Sequence, residues 1–130
     1  MLHTGIRGNR ELLVTEELTA RAMGSGELDV FATPAMIALA EETAWRSVAG
    51  ELEAGQGTVG TRLEIDHLSA TPMGMKVYCE TELTAIDRRR LTFRVEICDE
   101  AGPIGRGIHE RYIVENEKFF AKAAAKQPSV

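Results

Sequence analysis

The chain has 130 residues and a mass of 14.2 kDa, the size of one domain. Hydrophobic residues make up 44% and charged residues 27%, enough to form a core and hold it in solution, so a disordered chain is excluded. A net charge of −5 argues against a duplex nucleic-acid binder, and 5% aromatic residues argue against a stacking platform for single strands.

No apolar run reaches the roughly 18 residues of a membrane span, so no membrane contact is expected. The start, Met1-Leu2-His3-Thr4-Gly5, lacks the basic and apolar blocks of a signal peptide. Cys79 and Cys98 match neither CxxC nor a zinc spacing, and without an export signal both are expected as reduced thiols in a cytoplasm. GxGxxG, P-loop, HExxH and GxSxG patterns do not occur, and no metal or cofactor is expected.

In chain order, Glu11 to Glu17 reads as a short strand around Leu12-Leu13-Val14. Leu18 to Met23 reads as one or two helical turns, ended by Gly24-Ser25-Gly26. Thr33 stands where an N-cap belongs and Pro34 at the first helical position, where its missing N–H costs nothing. Ala35 to Ala49 is rich in Ala, Leu and Met, and Gly50 supplies the stop. Met36, Ile37, Leu39, Ala40, Ala44, Trp45 and Val48 cover most of the circumference, which predicts a helix buried all round. Four strands follow: Thr58–Leu68, Met75–Ile86, Arg90–Cys98 and Pro103–Val114, joined by turns at Thr71-Pro72-Met73-Gly74, Asp87-Arg88-Arg89 and Asp99-Glu100-Ala101-Gly102. In the last strand Ile104, Ile108, Tyr112 and Val114 share a face with Arg106 and Glu110, and a bulge near Gly105 or Gly107 is expected. Residues 117–130 form a tail of helical composition on the surface. The whole is one α+β domain, residues 1–130: a curved antiparallel sheet of about five strands around a long central helix.

His67 is the sharpest single signal. Strand parity puts Val59, Thr61, Leu63, Ile65 and His67 on one face, toward the helix. It is then either a hydrogen-bonded core histidine or a group that moves a proton or clamps a substrate. Glu41 sits mid-helix on the stripe of Ile37 and Trp45. It is either solvated at the helix edge or partly buried, and burial of a carboxylate disfavours its charged form, as suits a general base. Glu42 is the more solvated of the pair, with Arg46 four residues on. A Thr33 hydroxyl at the helix start is a cap or a substrate hydrogen bond, and as a nucleophile it would need an adjacent base. Gly60 removes a side chain in mid-strand, as where a ligand or another backbone comes close. The arginines at 88–90 and the lysines at 118, 122 and 126 read as solvated charge.

The order Phe31-Ala32-Thr33, Glu41, Val59-Gly60-Thr61, His67-Leu68-Ser69-Ala70-Thr71-Pro72 and Gly107-Ile108-His109-Glu110-Arg111 resembles the fluoroacetyl-CoA thioesterase-like branch of the hot-dog fold, from about residue 10 to the tail. The resemblance implies that fold, a homodimer joined sheet edge to sheet edge with a dimer of dimers as a further assembly, and active sites at the dimer interface with the CoA arm along it. It implies hydrolysis of a small acyl-CoA, with Thr33, Glu41 and His67 as the catalytic trio and Gly60 and Arg111 in substrate binding. The fluoroacetyl enzyme carries phenylalanines just before the threonine, as a lid over the acyl group. Met23-Gly24-Ser25-Gly26-Glu27-Leu28 holds none, so selection for fluorine is not expected here. A hot-dog hydratase or dehydratase on acyl thioesters and a non-catalytic dimer that binds an acyl-CoA or another small ligand are the alternative readings.

Overall fold

A computed structural model describes residues 1–128. Strand β1 (Arg7–Leu13) leads through a 3-10 turn (Glu16–Leu18) into the short α1 (Ala20–Met23). The long helix α2 (Thr33–Ala49) follows. Strands β2 (Gln56–His67), β3 (Lys76–Asp87), β4 (Arg90–Asp99) and β5 (Gly102–Glu115) come next, then α3 (Asn116–Ala124). The strands form one antiparallel sheet in the order β1-β3-β4-β5-β2, with α2 across one face.

Alternation builds the core. Val77, Cys79, Thr81 and Leu83 of β3, and Leu91, Phe93, Val95 and Ile97 of β4, are buried under the helix. Ala35, Ala40 and Ala44 of α2 are buried too, and their small side chains let the helix lie close to the sheet. The helix leans toward β1 and β3. The inward side chains of β2 are therefore only half covered, which leaves a trough between α2 and the β2–β5 side of the sheet.

Several expectations shift. The first strand runs Arg7–Leu13, ahead of the predicted Glu11–Glu17, because its partner is β3 from Lys76 to Glu82. The stop at Gly24 holds, with a left-handed φ of 74°. Thr33 is not the N-cap: Ala32 is, without a side-chain bond, and Thr33 and Pro34 open the helix. The helix is not buried all round either. Trp45 is 39% exposed, with the Arg46 guanidinium 4.8 Å over its ring. The tail is helical through Ala124 and exposed, and residues 129–130 of the predicted tail lie outside the described residues.

Bulges correct the strand faces. Thr61 is an extra residue in β2, where the register with β5 skips between Gly60 and Arg62. Before it Thr58 and Gly60 face the helix; after it Leu63, Ile65 and His67 do. Val59 and Thr61 therefore do not share the face of His67. In β5 the skip falls at Ile104, opposite Ile97 and Cys98, next to the predicted Gly105. The inward residues beyond it include Gly105, His109, Arg111 and Ile113, while Ile108 and Tyr112 point outward, the reverse of the predicted face.

Candidate active site

Two polar groups occupy the trough. At the start of α2, Thr33 Oγ1 lies 2.8 Å from His67 Nδ1 at the end of β2. The other imidazole nitrogen, His67 Nε2, is buried and bonds no protein atom among the described residues. An unpaired buried nitrogen is costly, and such groups gather where a ligand supplies the partner. His67 is thus tied at one nitrogen only, unlike a core histidine with both satisfied.

The second group centres on Arg111, whose residue is 5% exposed. Its Nε donates to Thr58 Oγ1 at 2.8 Å and its Nη2 to the Thr58 carbonyl at 3.0 Å. Its Nη1 donates to Glu41 Oε2 at 3.1 Å and to His109 Nε2 at 3.1 Å. His109 Nδ1 lies 2.8 Å from the Arg62 carbonyl. Burial pushes the His109 imidazole below the ordinary histidine range, against the pull of the Arg62 carbonyl and with the Arg111 charge adding to the push. Burial likewise lowers Arg111, opposed by Glu41, but a guanidinium stays charged.

Glu41 is neither free in solvent nor sealed in the core. Its side chain is 38% exposed, facing the trough, and its carboxylate is held by Arg111. Glu42 accepts from Arg46 Nε at 2.9 Å, as the four-residue spacing predicts, but it is not the more solvated of the pair: its side chain is as exposed as that of Glu41. Gly60 explains how Glu41 gets there. A Cβ at position 60 would overlap Glu41 Oε2 and press on Arg111 Nη1 and His109 Cε1, each 3.3 Å away. The missing side chain is filled by the carboxylate.

Within one protomer no hydrogen bond joins the two groups. Eight residues separate Thr33 from Glu41, about 12 Å along a helix axis. Two cavities of the single chain lie elsewhere. One of about 590 Å³ is on the outer sheet face by Tyr78, Glu80, Glu96 and Arg106, and one of about 220 Å³ is beside Leu12, Leu18 and Leu39. Neither is lined by Thr33, Glu41 or His67. The trough is open along β2, an edge strand that among the described residues pairs with β5 alone.

His109 and Thr58 were missed in the sequence for related reasons. His109 lies on the strand whose face was inverted, and Thr58 precedes the bulge that reverses parity. Residues 21–29 are exposed and bonded among themselves, with the Arg21 amide donating to the Leu28 carbonyl and Arg21 paired to Asp29 at 3.2 Å.

The profile of the family described as fluoroacetyl-CoA-specific thioesterase matches residues 14–117. The fluoroacetyl-CoA thioesterase of Streptantibioticus cattleyicolor is 42% identical over 101 residues, 78% of this chain and 73% of that protein. A solved structure of the fluoroacetyl-CoA thioesterase FlK superposes with a TM-score of 0.92 at 36% identity, covering 98% of this chain and 99% of that one. A thioesterase-superfamily protein of Thermus thermophilus superposes at 0.88 with 28% identity, covering 96% and 93%. The one long helix on a five-stranded antiparallel sheet is thus the hot-dog fold, and the chain belongs to the fluoroacetyl-CoA-specific thioesterase family.

Proposed function

We propose that the protein hydrolyses a small acyl-CoA to the free acid and CoA at a site that Thr33, Glu41 and His67 form in a homodimer. Thioester hydrolysis is the activity of the family, which favours it over hydration or dehydration of the acyl chain. The observation that carries the site is His67: Nδ1 held by Thr33, Nε2 buried without a partner among the described residues.

In this reading Thr33 donates to Nδ1, so the imidazole proton sits on Nε2 and points at the thioester carbonyl or the departing sulfur. Glu41, fixed by Arg111, takes a proton from water as it attacks the carbonyl carbon. The C–S bond breaks and the CoA thiolate receives a proton. The Thr33–His67 contact supports a second route, in which Nδ1 takes the hydroxyl proton and Thr33 attacks as the nucleophile. An acyl group trapped on Thr33, seen by mass spectrometry after rapid quenching, selects that route.

The free edge of β2 supports the dimer. A twelve-residue strand with unpaired N–H and C=O groups readily pairs with a copy of itself. Antiparallel pairing about a twofold near its middle sets His67 of one protomer opposite the Gln56–Gly60 half of the other strand. That is where Glu41 waits. The polar, aromatic-free segment from Met23 to Leu28 supports an unfluorinated acyl group, and the free thiols Cys79 and Cys98 fit a reducing cytoplasm.

The test is thiol release from a panel of short acyl-CoAs. Glu41→Gln and His67→Ala are each expected to lose about 10²- to 10⁴-fold in kcat. Wild-type rates in both folded variants would remove the assignment.

A further inference from the structure

We propose that His109 is a positioning residue for thioester hydrolysis: a neutral imidazole with its proton on Nδ1 that aims the Arg111 guanidinium, and through it the Glu41 carboxylate. The inference rests on the role of Glu41 proposed above.

The two ends of the ring dictate its state. Nδ1 faces the Arg62 carbonyl at 2.8 Å, and a carbonyl only accepts, so Nδ1 must carry a proton. Nε2 faces Arg111 Nη1 at 3.1 Å, and a guanidinium only donates, so Nε2 must be bare. A second proton would set N–H against N–H and charge against like charge. His109 is fully buried, and the Phe93 ring of β4 stacks on it with centroids 6.2 Å apart. The charged neighbours are Arg111 on the same strand, Glu41 on α2 and the adjacent Glu110, while β2 contributes the Arg62 carbonyl. Burial outweighs the carboxylates, and the ring is held neutral.

His109 matters to Glu41 because of how Arg111 spends its donors. Thr58 takes Nε and one N–H of Nη2, which anchors the guanidinium at one side. Nη1 has two hydrogens, one to Glu41 and one to His109. The His109 acceptor fixes the direction of one, and planarity then fixes the other. Without that acceptor the Nη1 side can tip, and the Glu41 oxygen moves with it. A carboxylate displaced by about 1 Å from a reacting water can cost on the order of 10²-fold in rate.

Two substitutions separate positioning from packing. His109→Asn can keep the bond to the Arg62 carbonyl but does not reach Arg111. His109→Gln can place its amide oxygen where Nε2 was. With acetyl-CoA as the probe, H109N is expected to lose about 10- to 100-fold in kcat with KM changed less than about twofold. H109Q is expected to recover most of that loss. In the Glu41→Gln background H109N should cost nothing further, because the two act as a unit.

Nitrogen-15 NMR of the wild-type ring at neutral pH needs no folded variant, and it should show a neutral imidazole protonated on Nδ1. A ring protonated on Nε2 or on both nitrogens overturns the proposal. So does wild-type kcat in folded H109N, or an equal loss in H109N and H109Q. Full kcat in E41Q alone instead overturns the role of Glu41, a result that the His109 variants cannot produce.

Discussion

Gly60 and Glu41 share one volume, and that sets the price of a methyl group. Gly60→Ala is expected to push the carboxylate off Arg111 and to cost about 1–3 kcal/mol, since the space is already full. Loss of the Glu41–Arg111 pair should lower kcat along with stability, and thermal unfolding beside thiol release reads both. At the start of α2, Thr33→Ser keeps a hydroxyl for His67 Nδ1 and Thr33→Val removes it. Serine is expected to hold kcat within about tenfold and valine to lose about 10²-fold or more. Equal kcat in the two would show that the hydroxyl is idle.

The β4–β5 turn shows an element held by one carboxylate. Asp99 accepts from the Thr71 hydroxyl at 2.7 Å and from the amides of Ala101 and Gly102 at 2.8 and 3.2 Å. The Thr71 hydroxyl, more than the turn amides, pulls the Asp99 carboxyl below the ordinary aspartate range. A lowered folded value means that the unfolded chain binds the proton more readily. The stability so gained is complete above the unfolded value of about 3.9 and drains away as pH falls through the folded one. Thr71→Val is expected to cost about 1–3 kcal/mol near neutral pH and to flatten the loss of stability below about pH 4. Denaturant titrations at several pH values check both.

Elements were legible where one rule operated. Composition and a proline near its start gave away α2, and period-two alternation gave away β4, whose inward positions from Leu91 to Ile97 are all apolar. The rule failed where an inserted residue reversed it. Thr61 in β2 and Ile104 in β5 shift parity, and β5 then turns Gly105, His109 and Arg111 inward, so hydrophobicity pointed to the wrong face. Glu41 and His67 stood out because each broke an apolar pattern. His109 broke none, since its strand showed no clear pattern to break. Thr33 looked like a cap because Pro34 follows it, yet Ala32 took that place and left the hydroxyl for His67.

For the whole molecule, the two polar groups of the trough make a separable prediction. Glu41→Gln retains His67, and His67→Ala retains Glu41. If the site joins Glu41 of one protomer to the partner's His67, a mixed dimer carries one intact site and one doubly altered site. Unfolding and refolding the two inactive variants together in equal amounts should restore about a quarter of wild-type activity, as random pairing in a twofold dimer requires. Sedimentation of the mixture confirms the pairing, and a mixture as inactive as its components would place the whole site in a single chain.

The two thiols bear on how such rates are measured. Cys79 is buried and its thiol is pushed up to about 11 by that burial, while Cys98 lies exposed. Disulfide dyes that count liberated CoA would also react with Cys98. Each chain should therefore add one fast equivalent of colour before turnover begins, with Cys79 silent until the fold opens. Cys98→Ser would clear that baseline, and the late appearance of the second equivalent would itself report unfolding.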